Sequence, residues 1–273
     1  MEVKVNDIAI SNERPIVFMA GPCVVESEEI VFTSAEFLKR TCEDLKIPFI
    51  FKSSFMKANR SSIDGFSTIG FDKALAILAK VKQQLKVPII TDVHEYTPMD
   101  EVAEVADVLQ TPAFLCRQTQ FLEKVAKQNK PINVKKGQFL SPYEVKNVVT
   151  KLQHFGNSKV MLCERGFSFG YQNLVVDMRS LEIMKRDTGC PVIFDAGHSV
   201  QSPGGKGNAS GGDRSFIVPL ARAAVGVGVA GIFLETHPNP EKALSDGPNM
   251  LPLKEIPALL QRLKALDEVA KSL

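Results

Sequence analysis

The sequence predicts one α/β domain over residues 1–273, a (β/α)8 TIM barrel with a short N-terminal β-hairpin, and three observations carry that expectation. Eight short apolar runs recur along the chain. Most are followed by a stretch of helical period. The length suits one α/β barrel of about 250 residues, or two domains of about 150.

The runs are Ile16–Ala20, Phe49–Phe51, Ile89–Ile90 with Val93, Val108–Phe114, Ile132–Val134, Val160–Cys163, Val192–Phe194 and Gly231–Leu234. They are too short and too rich in β-branched and aromatic residues for helices, and too uniformly apolar for half-exposed strands. Buried parallel strands read this way. Between them, Ser27–Leu45 places Ile30, Phe37, Leu38 and Leu45 at helical spacing, and Phe71–Leu85 does the same with Leu75, Leu78 and Leu85. Ser141-Pro142-Tyr143-Glu144 has the form of a capping box with proline at the first helical position, opening a helix to about Leu152. A last helix covers Leu253–Val269. A doubly wound sheet is the alternative, but it would usually need fewer strands or a second domain. Residues 1–14 lie outside the alternation. Val3, Val5 and Ile8 alternate there and Asn12-Glu13-Arg14 offers a turn, so the segment is expected to form a hairpin capping the barrel bottom.

Composition excludes several classes. With 44% hydrophobic and 23% charged residues the chain is not disordered. A net charge of +2, from 33 basic against 31 acidic residues, argues against a nucleic-acid or membrane-surface partner. No apolar run reaches the roughly 18 residues of a membrane span, and the N-terminus lacks a secretory pattern. Five cysteines, odd in number and without C-x-x-C spacing, argue against a disulfide framework and for a reducing cytoplasm.

In such a barrel the active site is built where the strands end. Strands two, four, five and six lead into Lys52, Lys57, Arg60, Arg117, Lys135 and Arg165. Six cations at one mouth call for anionic ligands, phosphates or carboxylates, which arginine binds bidentately. Strands one, seven and eight lead into Cys23, His198, Glu235 and Asp246. Thiolate, imidazole and two carboxylates suit a divalent ion such as zinc, iron or manganese. The near-zero charge thus averages a cationic half of the mouth with a metal-binding half. Taken singly, a cysteine after a strand is more often a small hydrophobe, and a cation is about as often a surface ion pair. Gly226–Gly231 matches G-x-G-x-x-G but follows a helix and precedes a strand, the reverse of a dinucleotide-binding turn. The glycine-rich stretch 204–212 lacks phosphate-loop spacing and is expected to be a mobile loop over the site.

These residues carry a resemblance. Gly21-Pro22-Cys23, Lys52-Ser53-Ser54-Phe55, Lys57-Ala58-Asn59-Arg60-Ser61-Ser62 and Arg117-Gln118-Thr119 resemble the 3-deoxy-D-manno-octulosonate 8-phosphate synthases. So do Asn133–Phe139, Arg165-Gly166 and Glu235-Thr236-His237-Pro238, and the match runs from about Pro15 to about Leu253. The resemblance implies a transferase of lipopolysaccharide biosynthesis that condenses phosphoenolpyruvate with arabinose 5-phosphate, a (β/α)8 barrel and a homotetramer. By position, it implies that Lys57, Lys135 and Arg165 hold phosphoenolpyruvate with Arg117 nearby; Lys52 is also expected among the substrate-binding residues. It further implies that Arg60 and Ser61 bind the sugar phosphate in a loop reaching a neighbouring subunit, and that Asn59 and Asp92 contact sugar hydroxyls. Catalysis is expected to depend on Lys57, Lys135, His198 and Asp246. The family has metal-dependent and metal-independent classes, and Cys23, with His198, Glu235 and Asp246, resembles the dependent one. Ile63–Gly70 departs from the family's usual run, lacking an arginine and a proline. The sister enzymes that use erythrose 4-phosphate share several motifs but have Lys-Pro-Arg where this chain has Lys57-Ala58-Asn59-Arg60, so Asn59 favours the pentose. A Schiff-base aldolase using Lys135 or Lys52, and a non-catalytic phosphosugar binder, are the remaining rivals.

Overall fold

The computed structural model describes residues 1–205 and 211–273. Its order begins with a hairpin of β1 (Val3–Val5) and β2 (Ile8–Ile10), followed by β3 (Val17–Gly21) and α1 (Glu28–Leu45). Then come β4 (Phe49–Lys52), α2 (Phe71–Leu85), β5 (Ile89–Asp92), α3 (Met99–Val105), β6 (Val108–Thr111) and α4 (Thr119–Lys127). Next are β7 (Ile132–Lys135), α5 (Val145–His154), β8 (Val160–Glu164), the short pair β9 (Phe167–Ser168) and β10 (Leu174–Val175), and α6 (Arg179–Thr188). The chain continues through β11 (Val192–Asp195), β12 (Gln201–Ser202), β13 (Gly211–Gly212), α7 (Ile217–Val227), β14 (Gly231–His237), β15 (Leu251–Pro252) and α8 (Ile256–Ala270). Strands β3 to β8 pair in sequence, β8 pairs β11, β11 pairs β14, and β14 returns to β3, all in parallel. The eight-stranded barrel is therefore closed, and its strands have no free edge.

Alternation splits each apolar run between two cores. Along β3, Val17 and Met19 join the barrel interior with Ile50, Ile90, Val108, Met161, Ile193 and Phe233. Phe18 and Ala20 face outward into the larger layer beneath the helices. The hairpin supplies Val3, Val5 and Ile10 to the interior cluster, so it plugs the bottom of the barrel as its alternation implied. The hairpin's own turn falls at Asn6-Asp7, and Asn12-Glu13 form the expected second turn, closed by Arg14 N donating to the Ser11 carbonyl at 3.4 Å, before β3. The G-x-G-x-x-G stretch ends α7 at Gly228, whose φ is +84°, and starts β14 at Gly231. A Cβ at Gly231 would lie 2.5 Å from Val17 Cγ1, so the glycine serves close strand packing.

Two local expectations need correction. The capping box does not open its helix directly. Ser141 N donates to Glu144 Oε2 at 3.1 Å, but Pro142–Glu144 form a turn and α5 begins only at Val145. Glu144 thus caps the turn, while the reciprocal bond from Ser141 is missing. The fourth apolar run is a strand only to Thr111; Ala113–Leu115 turn in a 3-10 helix. Of the predicted glycine-rich loop, 206–210 lie outside the described residues.

Candidate active site

Strand parity decides which side chains meet. Ile50, Ile90, Val108, Ile193 and Phe233 fill the barrel interior. Two residues further along the same strands, on the same side, come Lys52, Asp92, Gln110, Asp195 and Glu235, and β7 adds Lys135. The apolar plug therefore gives way to a buried charged layer beneath the C-terminal mouth.

Opposite charges interleave within that layer. Lys52 Nζ donates to Glu235 Oε1 at 2.6 Å and to the Cys23 carbonyl at 3.1 Å. Lys57 Nζ lies 3.5 Å from both Asp92 Oδ2 and Glu235 Oε1. Asp92 also accepts from Ser54 Oγ and, at 2.6 Å, from Gln110 Nε2. Asn133 Nδ2 in turn donates to Gln110 Oε1 at 2.8 Å. Burial by itself would raise the Asp92 and Glu235 pKa values, but Lys57 and Lys52 outweigh it and hold both well below the usual carboxylate range. Asp195 follows the same logic, with burial overcome by His198 and Lys135. It contacts Lys135 Nζ, lies 2.7 Å from His198 Nδ1 and accepts from the His198 backbone N–H at 2.9 Å. Lys135 Nζ sits 3.3 Å from the Phe233 ring centroid, a cation–π contact.

The soft donor lies beneath this floor. Cys23 is fully buried, and its Sγ donates to Ser245 Oγ at 3.1 Å and Asp246 Oδ2 at 3.2 Å. Burial, with Glu235 next in effect, pushes its thiol well above the ordinary value. One donor atom each from Cys23, Glu235 and Asp246 lies within 4.8 Å of the others. His198 Nε2 stands 3.7 Å from Glu235 Oε2, a buried oxygen without a hydrogen-bond partner among the described residues. With Nδ1 turned to Asp195, Nε2 is the ring nitrogen that faces that oxygen. Asp246 reaches the group from a left-handed backbone, φ 54°, a conformation that aspartate tolerates better than most residues. One sulfur, one imidazole nitrogen and two carboxylates around an orphaned buried oxygen fit a borderline divalent ion.

Above the floor opens a cavity of about 300 Å³. Its walls include Lys57, Asn59, Arg60 and Ser61 from the loop after β4, with Arg165, Gln138, Gln201 and Asp246. Arg165 Nη2 donates to Gln201 Oε1 at 2.6 Å, while Nη1 is buried with no partner among the described residues. Burial lowers the Arg165 pKa despite nearby Asp195 and Asp246. Arg60 Nη1 donates to Ser245 Oγ at 2.7 Å, and Nη2 lies 3.8 Å from Asp246 Oδ2. The atypical loop is held by its own bonds: Ser67 Oγ donates to the Lys57 carbonyl and Thr68 Oγ1 to the Phe55 carbonyl, each at 2.8 Å.

Eleven of the residues predicted from sequence line the cavity: Lys52, Lys57, Asn59, Arg60, Ser61, Asp92, Lys135, Arg165, His198, Glu235 and Asp246. Cys23 lies beneath it. Arg117 does not reach it. Because β6 ends at Thr111, its inward residue is Gln110, and Arg117 is exposed on the turn before α4. The expected separation of a cationic half from a metal half also fails, since Lys52 and Lys57 both pair with Glu235. Asp195, Gln110, Gln201 and Ser245 were not singled out. Parity with Ile193 and Val108 could have marked the first two; Gln201 opens the two-residue strand β12 and Ser245 sits on a loop, and neither carries a periodic signal.

A model of the DAHP synthetase I family matches residues 1–272. A Legionella pneumophila (strain Corby) protein named 2-dehydro-3-deoxyphosphooctonate aldolase is 62% identical over 259 residues, covering 95% of this chain and 94% of the relative. Proteins of the same name from Dichelobacter nodosus and Francisella tularensis subsp. novicida are 60% and 58% identical over 270 residues. Each of these two alignments covers 99% of this chain, with 97% and 98% of the respective relative. The closed barrel, the cation-lined cavity at its C-terminal mouth and these matches together place the chain in the DAHP synthetase I family, among the 2-dehydro-3-deoxyphosphooctonate aldolases.

Proposed function

We propose that the chain condenses phosphoenolpyruvate with D-arabinose 5-phosphate and water, giving 3-deoxy-D-manno-octulosonate 8-phosphate and inorganic phosphate. The observation that carries this reading is the cavity itself. Lys57, Lys135 and Arg165 serve one anionic substrate, while Arg60 and Ser61 serve the phosphate of a second. The names of the relatives favour the pentose over erythrose 4-phosphate, as does Asn59.

In the condensation, C3 of phosphoenolpyruvate bonds to the sugar aldehyde carbon, water adds to C2, and the resulting hemiketal phosphate breaks its C–O bond to release phosphate. Lys57, Lys135 and Arg165 bind the carboxylate and phosphate and orient the enol face, which turns a bimolecular encounter into a local one. Lys135 exchanges part of its contact with Asp195 for the arriving anion. Asn59 and Asp92 orient sugar hydroxyls, and the buried charged layer presents preorganised dipoles to the developing oxyanion. Asp195 holds the proton of His198 on Nδ1. Cys23, His198, Glu235 and Asp246 are the residues that would hold a zinc, iron or manganese ion, which when bound supplies Lewis-acid polarisation of an oxygen.

We also propose a homotetramer. Phe114, Phe139, Tyr143, Phe167, Phe169 and Tyr171 are exposed around the loops after β6, β7 and β8, apolar surface available to a partner subunit. Five free, buried thiols suit a reducing cytoplasm. No described helix is long and apolar enough to cross a membrane.

Phosphate release from phosphoenolpyruvate, measured with each sugar and with or without chelator, tests the reading. Release with arabinose 5-phosphate and little with erythrose 4-phosphate is expected, and the opposite preference would overturn it. Borohydride trapping of the protein on substrate would reveal a Schiff-base route instead.

A further inference from the structure

One buried charge pair lies outside the reacting cavity. Lys136 and Glu164 follow opposite parity to their neighbours Lys135 and Cys163, so they point away from the barrel interior. Each is 2% exposed. Lys136 Nζ lies 3.5 Å from Glu164 Oε1 and donates to the Leu140 carbonyl at 3.0 Å. Glu164 Oε1 accepts from the backbone N–H groups of Arg165 at 2.9 Å and Gly166 at 2.7 Å, and Oε2 accepts from Ser180 Oγ at 2.8 Å. The carboxylate thus orients the peptide that carries Arg165, at a turn where Gly166 takes φ +96°. The ammonium orients the loop that carries Gln138. The two loops are tied together by the Gln138 carbonyl, which accepts from Ser168 N at 2.9 Å. That bond joins backbone to backbone, so it is open to either loop whatever side chains they carry.

Two buried polar atoms on these loops lack partners among the described residues, Arg165 Nη1 and Gln138 Oε1, and both residues line the cavity. Buried ion pairs stabilise little, because desolvation offsets most of their attraction, and apolar residues of similar size would pack as well. What an apolar pair could not do is bind the two amides of Arg165 and Gly166 and the Leu140 carbonyl at once.

We propose that the Lys136–Glu164 pair is a positioning device, setting Arg165 and Gln138 relative to each other so that the phosphoenolpyruvate end of the cavity is formed before substrate arrives. The proposal rests on the substrate reading above. Glu164 and Lys136 touch no substrate and act through Arg165 and Gln138. A displacement of about 1 Å at such a site is enough to cost about a hundredfold.

The test compares wild type with Glu164→Gln, Ser180→Ala and the double variant Lys136→Met/Glu164→Gln, which keeps the buried charge balanced if the single change fails to fold. Steady-state kinetics and calorimetric titration with phosphoenolpyruvate alone are the readouts. The KM and Kd for phosphoenolpyruvate should rise at least tenfold in the double variant, with the KM for arabinose 5-phosphate within twofold of wild type. A purely structural pair would lower the melting temperature or the active fraction and leave the phosphoenolpyruvate constants unmoved. A folded double variant with wild-type affinity for phosphoenolpyruvate overturns the proposal. Wild type that binds no phosphoenolpyruvate overturns the substrate reading instead.

Discussion

Replacing Lys52 by methionine keeps most of the side-chain volume and removes one charge from the floor of the site. Lys52 is 1% exposed, and its ammonium lies 2.6 Å from Glu235 Oε1. With an effective dielectric constant near 20, that contact is worth about 6 kcal/mol of gross attraction, most of it offset by desolvation. Lys57 stands 3.5 Å from the same oxygen, worth about 5 kcal/mol on the same scale, so Glu235 keeps a counterion when Lys52 is lost. The expected cost therefore falls at the low end for a broken buried pair, about 3 kcal/mol. Glu235→Gln should cost more, about 4–5 kcal/mol, because Lys52 and Lys57 are then left to share Asp92 at 3.9 and 3.5 Å. Denaturant unfolding of chelator-treated protein, followed by circular dichroism, measures both variants and the double Lys52→Met/Glu235→Gln. The double should cost less than the sum of the singles by more than about 1 kcal/mol. Additive singles, or a Lys52 variant costlier than the Glu235 variant, would refute the view that two ammonium groups share one carboxylate.

Cys23→Ala should abolish activity and bound metal together, as read by phosphate release and elemental analysis; full turnover in rigorously metal-stripped wild type would sink the metal reading. Stability should fall on acidification, because Asp92, Asp195 and Glu235 have folded pKa values below their unfolded ones. Their contribution is complete above about pH 5 and drains away as the pH drops through the unfolded value near 4 toward the depressed folded values. Melting temperatures from pH 7 to pH 3 should show that loss, with a shallower slope in Asp195→Asn. Cys42 and Cys163 have thiols pushed up to about 12 by burial, so neither should react with a thiol reagent at pH 8 until the protein is unfolded. Gly231→Ala should destabilise by about 1–3 kcal/mol, since its Cβ would meet Val17 Cγ1 at 2.5 Å and the Val17 carbonyl at 2.7 Å. Gly226→Ala, in the open on α7, should stabilise by about 0.5–1 kcal/mol; equal thermal shifts in the two variants would contradict this contrast.

Local chemistry settled much of this molecule in advance. Short apolar runs can be satisfied only by burial on both faces, and eight of them separated by amphipathic stretches leave a closed parallel barrel as the economical arrangement. Ser27 marks the start of α1 by accepting from Ile30 N, and Val3, Val5 and Ile10 alternate into the barrel bottom. The residues at the strand ends were legible for the same reason. Lys52, Asp92, Lys135 and Glu235 lie at or near the ends of buried strands and have nowhere to point but into the mouth.

Distance and direction belonged to the folded chain. Cations and acids that look separate along the chain meet as Lys52–Glu235, Lys57–Asp92 and Lys135–Asp195, because inward side chains converge across the closed barrel: β4 meets β14 past β3, and β7 meets β11 past β8. Arg117 follows a strand run as the other cations do, yet one 3-10 turn after Thr111 carries it to the surface. Lys136 and Glu164, adjacent in sequence to residues of the mouth, turn the opposite way because side chains alternate along a strand, and only packing against α6 and the loop to Leu140 gives them partners. Strand pattern thus selects which chemical groups gather at the mouth. Which of them touch is set by register and loop path, and no single segment encodes those.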